Sequence, residues 1–191
     1  MVLGSHNSWS YLKPKVWWKR PFAFIGKCQD KDIKTQYEEY NVRCFDLRIK
    51  YDRSGTPVIS HGFLEFDITM DELYEDLKWL NSKGDVYLRI LFEARTRKEY
   101  EIGKYFFGET CAMIEKKFKK LKCWCGRNLY NWEVDYNFNN HPTCTEKYSS
   151  VCSPKWIDDW WPRLFALRKN KKIKEEGTYS DILLIDFVNI G

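Results

Sequence analysis

The stretch Val42-Arg43-Cys44-Phe45-Asp46-Leu47-Arg48-Ile49 reads as a β-strand with charge where a strand of an α/β protein should be apolar. Side chains alternate across a strand, so Phe45, Leu47 and Ile49 share one face and Asp46 and Arg48 share the other. A carboxylate and a guanidinium side by side on a strand face point to chemistry rather than packing. Two nearby strand ends repeat the exception. Upstream, the short apolar start Val2-Leu3-Gly4 runs straight into Ser5-His6-Asn7-Ser8. Downstream, the turn Asp52-Arg53-Ser54-Gly55 leads to a second short strand, Pro57 to Ser60, that ends on His61-Gly62. Two of only three histidines therefore fall at strand ends, where α/β folds carry their active sites.

Helix and strand signals alternate along the rest of the chain. Asp32 to Tyr40 reads as helix. Thr69-Met70-Asp71-Glu72 is a capping box, and Leu73, Leu77 and Leu80 follow at helical spacing, with Gly84 as a stop. Val86 to Glu93 is the next strand. Thr96-Arg97-Lys98-Glu99 is a second capping box, opening a long helix towards Leu121. Leu129 to Phe138 alternates like a strand. Ser153-Pro154 starts a helix that runs towards Lys172, and Ile182 to Val188 is the last strand. Such alternation predicts a single α/β domain with a mostly parallel sheet. The Arg168 to Glu176 charge run reads as a solvated helix end.

At 191 residues, 43% hydrophobic and 31% charged, the chain has a globular balance that excludes a disordered tail or a fibrous repeat. Its formal net charge of +5 suits an anionic substrate or surface without demanding nucleic acid. No apolar run is long enough to span a bilayer. Polar residues by Ser5-His6-Asn7 argue against a secretory signal, so the expected location is cytoplasmic unless a leader has been removed. Seven cysteines are an odd count, with four between Cys123 and Cys152 near His141. Zinc ligation and disulfides are alternatives there, but Cys-x-Cys with following gaps of 18 and 7 is not a common metal spacing, and reduced thiols are the reading adopted.

Two histidines, an arginine and carboxylates suit phosphoryl transfer. One imidazole takes a proton from an attacking hydroxyl and the other gives one to the leaving oxygen. A guanidinium clamps the phosphate and offsets its growing charge. The three pieces Gly4-Ser5-His6-Asn7-Ser8, Val42 to Arg48 and Ser60-His61-Gly62, in that order, resemble the X-domain of phosphatidylinositol-specific phospholipase C. Roughly residues 1 to 95 carry the specific match, and Ile185-Asp186-Phe187-Val188-Asn189 looks like the family's closing strand. The resemblance implies a TIM-like barrel. With six candidate strands, in a chain below the roughly 200–250 residues usual for that fold, the barrel is expected to be small and irregular.

The resemblance also implies roles. His6 would be the general base that deprotonates an inositol hydroxyl, and His61 the general acid that protonates the leaving oxygen. Asp186 would orient His6. Arg48 stands where the calcium-dependent branch has an acidic residue, so the chain resembles the bacterial, metal-independent branch, with neither metal nor cofactor. Asn7 departs from an Asp that is common in that branch. Asp46 completes the catalytic set, and Asn7, Glu93, Arg95 and Asp135 would bind substrate; Glu133 is a further candidate on the same strand as Asp135. The implied partner is phosphatidylinositol or a related phosphodiester. The segment Trp9 to Phe22, rich in rings and cations, suits either a peripheral lipid surface or a crossover helix packed on the barrel. Two other readings stay open: a non-catalytic lipid-binding module on the same fold, and a phosphodiesterase for another phosphodiester.

Overall fold

The computed structural model describes residues 1–94, 96–128, 134–135, 148–151, 162–176 and 181–191. Among the described residues, nine strands form one sheet: β1 (Val2–Ser5), β2 (Cys44–Tyr51), β3 (Pro57–His61), β4 (Leu64–Glu65), β5 (Tyr87–Phe92), β6 (Lys122–Asn128), β7 (Val134–Asp135), β8 (Tyr148–Val151) and β9 (Ile182–Ile185). The order along the sheet is β7-β6-β5-β2-β1-β9-β8, with β3 on the far end of β2 and β4 paired to β3. From β6 to β8 every neighbouring pair on this path is parallel, while β7 and β3 pair antiparallel. The helices are α1 (Ala23–Gly26), α2 (Ile33–Glu38), α3 (Met70–Lys83), α4 (Arg97–Lys117) and α5 (Pro162–Glu176), with a 3-10 turn at Trp17–Phe22.

The helices form where their ends are satisfied. Both capping boxes are present: Thr69 with Glu72 opens α3, and Thr96 with Glu99 opens α4. Gly84 stops α3 in the left-handed conformation that glycine tolerates best. Leu73, Leu77 and Leu80 face a core built from Phe45, Leu47, Ile49, Leu88, Ile90, Phe92, Leu183 and Ile185. Each such fully buried side chain contributes about 1.5–3 kcal/mol.

The opposite face of the sheet is buried as well. At the N-terminal ends of the strands Cys44, Trp124, Ile182 and Leu184 form a second apolar cluster, with Val2 and Tyr87 against it. These side chains come from β2, β6 and β9, which are not neighbours, so the sheet curls around this face. Gly4 is required there, because a Cβ would run into Leu184 and Cys44. Strand parity carries this inner face onward to Asp46 and Arg48 within β2, Arg89 within β5 and Glu93 just past its end, all buried.

Several expectations shift at their edges. α4 ends at Lys117 rather than near Leu121, and β9 ends at Ile185, leaving Asp186 just past the strand. β6 lies in the cysteine-rich stretch, where no strand was expected; its cysteines are buried like small hydrophobes. Of Leu129 to Phe138, only 134–135 are described, and they form β7. The helix start at Ser153-Pro154, Arg95, Glu133 and His141 lie outside the described residues, and the side chain of Asp135 is likewise not described. Among the described residues no pairing joins β8 to β6 or β7, so the barrel expected from the sequence is here an open sheet.

Candidate active site

The first histidine is placed by two adjacent strands. His6 N–H donates to the Ile185 carbonyl at 2.9 Å, continuing the β1–β9 ladder one step past β1. Asn7 then turns the chain sharply, with φ at +46°, and Phe187 does the same after Asp186. Non-glycine residues held in the left-handed region are costly and gather at functional sites. Here they fix the two residues that meet: His6 Nδ1 lies 2.7 Å from Asp186 Oδ1. The Ser8 hydroxyl accepts from the Asp46 amide at 2.8 Å and donates to the Ser5 carbonyl at 2.9 Å, locking the turn to β2.

Asp46 is the electrostatic hub. One of its oxygens accepts from the Asn7 amide at 2.9 Å and from Arg48 Nε at 3.1 Å, and the other pairs with Arg89 Nε at 3.1 Å. Burial would raise its pKa, but the Arg89 and Arg48 cations overcome that and hold the carboxyl well below its ordinary range. Arg48 reaches on to Glu93 Oε2 at 3.5 Å and places Nη2 at 2.5 Å from His6 Nε2. Glu93 Oε1 accepts from the Gly62 amide at 2.8 Å, tying the loop after His61 to the same network.

The hydrogen bonds fix both tautomers. A guanidinium can only donate, so His6 Nε2 accepts from Arg48 and its proton sits on Nδ1, towards Asp186. His61 Nδ1 lies 2.9 Å from the Gly26 carbonyl, which can only accept, so it too carries a proton on Nδ1. The two rings meet edge to face with centroids 5.6 Å apart. Burial, with Arg48 adding to it, pushes His61 down to about 4. His61 is therefore neutral at pH 7, with its Nε2 lone pair available.

The depressed pKa of His61 makes stability depend on pH. As pH falls from about 6.5, the unfolded chain protonates His61 first, so the native state loses stability progressively until about pH 4. The expected loss is on the order of 2–3 kcal/mol, since each tenfold drop in proton affinity corresponds to about 1.4 kcal/mol. Asp46, also depressed, adds its own loss only at still lower pH. Urea titrations at pH 7.5 and 4.5 should show the difference, and His61→Gln should shrink it. An equal pH dependence in wild type and variant would contradict this assignment.

The structure thus brings together His6, Asp46, Arg48, His61, Glu93 and Asp186. Asn7 joins them through its amide. Its fully buried carboxamide has no hydrogen-bond partner among the described residues. Three further residues were not anticipated. Arg89 holds Asp46 from β5. Gln29, buried in the loop after α1, donates to the carbonyls of His6 and Ile185, both at 3.0 Å, and accepts from the Val188 amide at 3.1 Å. Asn170 of α5 donates to the Asp186 and Phe187 carbonyls at 2.7 and 3.1 Å. Loop and helix amides of this kind leave no periodic signal in a sequence; only the register of β2 with β5, which sets Arg89 opposite Asp46, could have exposed Arg89.

Paired histidines, arginines and carboxylates thus meet on one face of an α/β sheet. Solved structures of the phosphatidylinositol-specific phospholipase C from Staphylococcus aureus share the fold. One mutant form matches with a TM-score of 0.57 at 14% identity, covering 97% of this chain and 85% of that one. A second mutant gives 0.59 at 15%, covering 97% and 84%. A third structure, concerned with modulation of that enzyme's membrane binding, gives 0.56 at 14%, covering 97% and 85%. No family model matches the sequence, and no curated protein is significantly similar to it. At this identity the likeness establishes the fold.

Proposed function

We propose that this protein is a metal-independent phosphodiesterase that cleaves phosphatidylinositol, or a related phosphodiester with a neighbouring hydroxyl, through a cyclic phosphate. The observation that carries the reading is the meeting of His6 and His61 at 5.6 Å, with Asp186 behind one ring and Arg48 against it. In this scheme the phosphate draws Arg48 away from His6 Nε2, which uncovers the base. Nε2 takes the hydroxyl proton while that oxygen bonds to phosphorus, and Asp186 stabilises the imidazolium. The bond from phosphorus to the leaving oxygen breaks as His61 gives that oxygen a proton. His61 must first acquire this proton. An anionic substrate offsets Arg48, one cause of its low pKa, and so favours the uptake. Hydrolysis of the cyclic product runs the roles in reverse and restores both rings. The buried carboxamide of Asn7, without a partner among the described residues, donates to a substrate oxygen and accepts from a substrate hydroxyl, and Glu93 holds Arg48 in place.

On this reading the chain is one X-domain-like unit, and the curled sheet is a trimmed barrel. Vesicles of phosphatidylinositol followed by ³¹P NMR, with and without EDTA, test it. A cyclic phosphodiester should accumulate first in both. Vesicle binding without turnover would favour the non-catalytic module instead.

The ring-rich segment supports a peripheral membrane contact. Trp9 is fully buried and donates to Asp76 Oδ2 at 3.0 Å, so it belongs to the core. Trp17 and Trp18 are 75% and 55% exposed, Phe22 and Phe24 are exposed beside them, and Lys19 lies 5.5 Å over the Trp18 ring. Rings with cations suit the headgroup level. Partial burial of each indole is worth about 1–2 kcal/mol. Trp17→Ala with Trp18→Ala should therefore weaken sedimentation with anionic vesicles by roughly 30- to 700-fold, while turnover of a soluble phosphodiester stays near wild type. Unchanged sedimentation would place the contact elsewhere.

A further inference from the structure

We propose that His6, Cys28 and Asp186 form a binding site for a borderline-soft divalent ion of the zinc class, and that the ion switches off the base. The effect on turnover rests on the function proposed above; the binding does not. Each residue offers one ligand atom, the three atoms lie within 4.8 Å of one another, and all three side chains are buried. Imidazole nitrogen, thiolate sulfur and carboxylate oxygen are the donors zinc prefers, and three protein ligands with an open fourth position is a common zinc arrangement. Thiolate and carboxylate together match the ion's charge.

The three ligands are held by the fold before any ion arrives. His6 and Asp186 directly follow neighbouring parallel strands. Cys28 follows α1, and its backbone is fixed twice: its amide donates to Ser10 Oγ at 2.9 Å, and its carbonyl accepts from the Phe187 amide, the residue after Asp186, at 2.6 Å. Asn170 holds the Asp186 carbonyl. The thiol also lies 3.7 Å from His61 Nδ1, so the site adjoins both histidines. His61 retains solvent-exposed surface and marks the route in.

The fit requires a small movement of each ligand, for a tetrahedral ion also sets Cys28 Sγ about 3.6 Å from the nitrogen and oxygen, inside the 4.8 Å within which the three atoms now lie. His6 Nδ1 and Asp186 Oδ1 now share a proton at 2.7 Å. Zinc bonds of about 2.0–2.2 Å at a tetrahedral angle would set the two atoms about 3.3 Å apart, an opening of roughly 0.6 Å. The protons balance simply. Cys28 releases its thiol proton, and the His6 proton passes from Nδ1 to Nε2 as the metal takes Nδ1. Nε2 then carries N–H, repels Arg48 and cannot accept a proton from a hydroxyl. Arg48 keeps Asp46 and Glu93 as partners. The ion is thus an inhibitor of a reaction that needs no metal.

The test uses the 191-residue chain, loaded with one equivalent of Zn²⁺ and measured by X-ray absorption at the zinc edge. A shell of one sulfur at about 2.3 Å with two or three N/O ligands at about 2.0–2.2 Å is expected. A shell with two or more sulfurs, as a cluster of the other cysteines would give, or with none, overturns the site. Cys28→Ser, close in volume, should lower Zn²⁺ affinity at least about a hundredfold, since even indirect supports of a metal cost 10- to 100-fold when removed. It should also relieve inhibition by Zn²⁺ in the phosphodiesterase assay. Equal affinity in the variant overturns the proposal. The wild-type absorption measurement decides the question even if the variant does not fold. A one-sulfur shell in a protein that turns over no phosphodiester would keep the site and count against the catalytic reading instead.

Discussion

His6→Ala and His61→Ala should each lower turnover of phosphatidylinositol by a factor on the order of 10²–10⁴, the usual cost of removing acid–base help. They should separate on a substrate with a good leaving group. Such a group departs without protonation, so His61→Ala should recover part of its rate and His6→Ala should not. The geometry behind this asymmetry is the Asp186 carboxylate at 2.7 Å from His6 Nδ1, which favours the imidazolium that a base becomes. His61 has a backbone carbonyl behind it instead, and its depressed pKa makes it a willing donor once protonated. Asp186→Asn should fall between wild type and His6→Ala. The pH–rate profile should be bell-shaped, with limbs that belong to the coupled network rather than to one ring. Matched kinetics with activated and unactivated soluble esters measure the separation. Equal responses of the two histidine variants would reverse or void the assignment.

Much of the site was legible because strand parity is a strict rule. With Phe45, Leu47 and Ile49 committed to the core, Asp46 and Arg48 had to share the inner face, and they do. The same parity carried Glu93 to Arg48. The two capping boxes fixed both helix starts from sequence alone. Tertiary register was not legible. Arg89 lies in a strand like any other polar residue until β5 is set beside β2, which places it opposite Asp46 and makes it a second cation on the hub. Cys28 and Gln29 sit in a loop with no period to read, and their importance comes from Ser10 and the ends of β1 and β9 folding against them. The rings of the Trp9 to Phe22 segment divided between core and surface, a split that composition cannot predict, because Trp9 found Asp76 to satisfy its indole N–H. Among the described residues no helix is long and apolar enough to cross a bilayer.

Arg48→Gln should cost about 10²–10³ in kcat, the usual loss when a positioned donor to a developing oxyanion is removed, and no added divalent ion should be needed for the wild-type rate. Arg48 is the cation that two buried carboxylates, Asp46 and Glu93, hold against His6. Its charge is fixed at every working pH, and its planar fork can give one N–H to a phosphate oxygen while keeping Nε on Asp46. Glutamine removes the charge and the fork together. The fold should survive the change better than most breaks of a buried ion pair, which typically cost 3–5 kcal/mol. Asp46 keeps Arg89 and the Asn7 amide, and Glu93 keeps the Gly62 amide. A thermal melt alongside the assay separates lost chemistry from lost structure. Arg48→Lys should sit between the two, since a point charge on a flexible stem keeps the electrostatic attraction and loses the bidentate hold. The wild-type rate should be the same in EDTA and in calcium, because the guanidinium already occupies the place between Asp46 and Glu93 that a hard cation would need, and its charge repels one. A rate that disappears with EDTA and returns with calcium would mean that Arg48 is not the cation of the reaction.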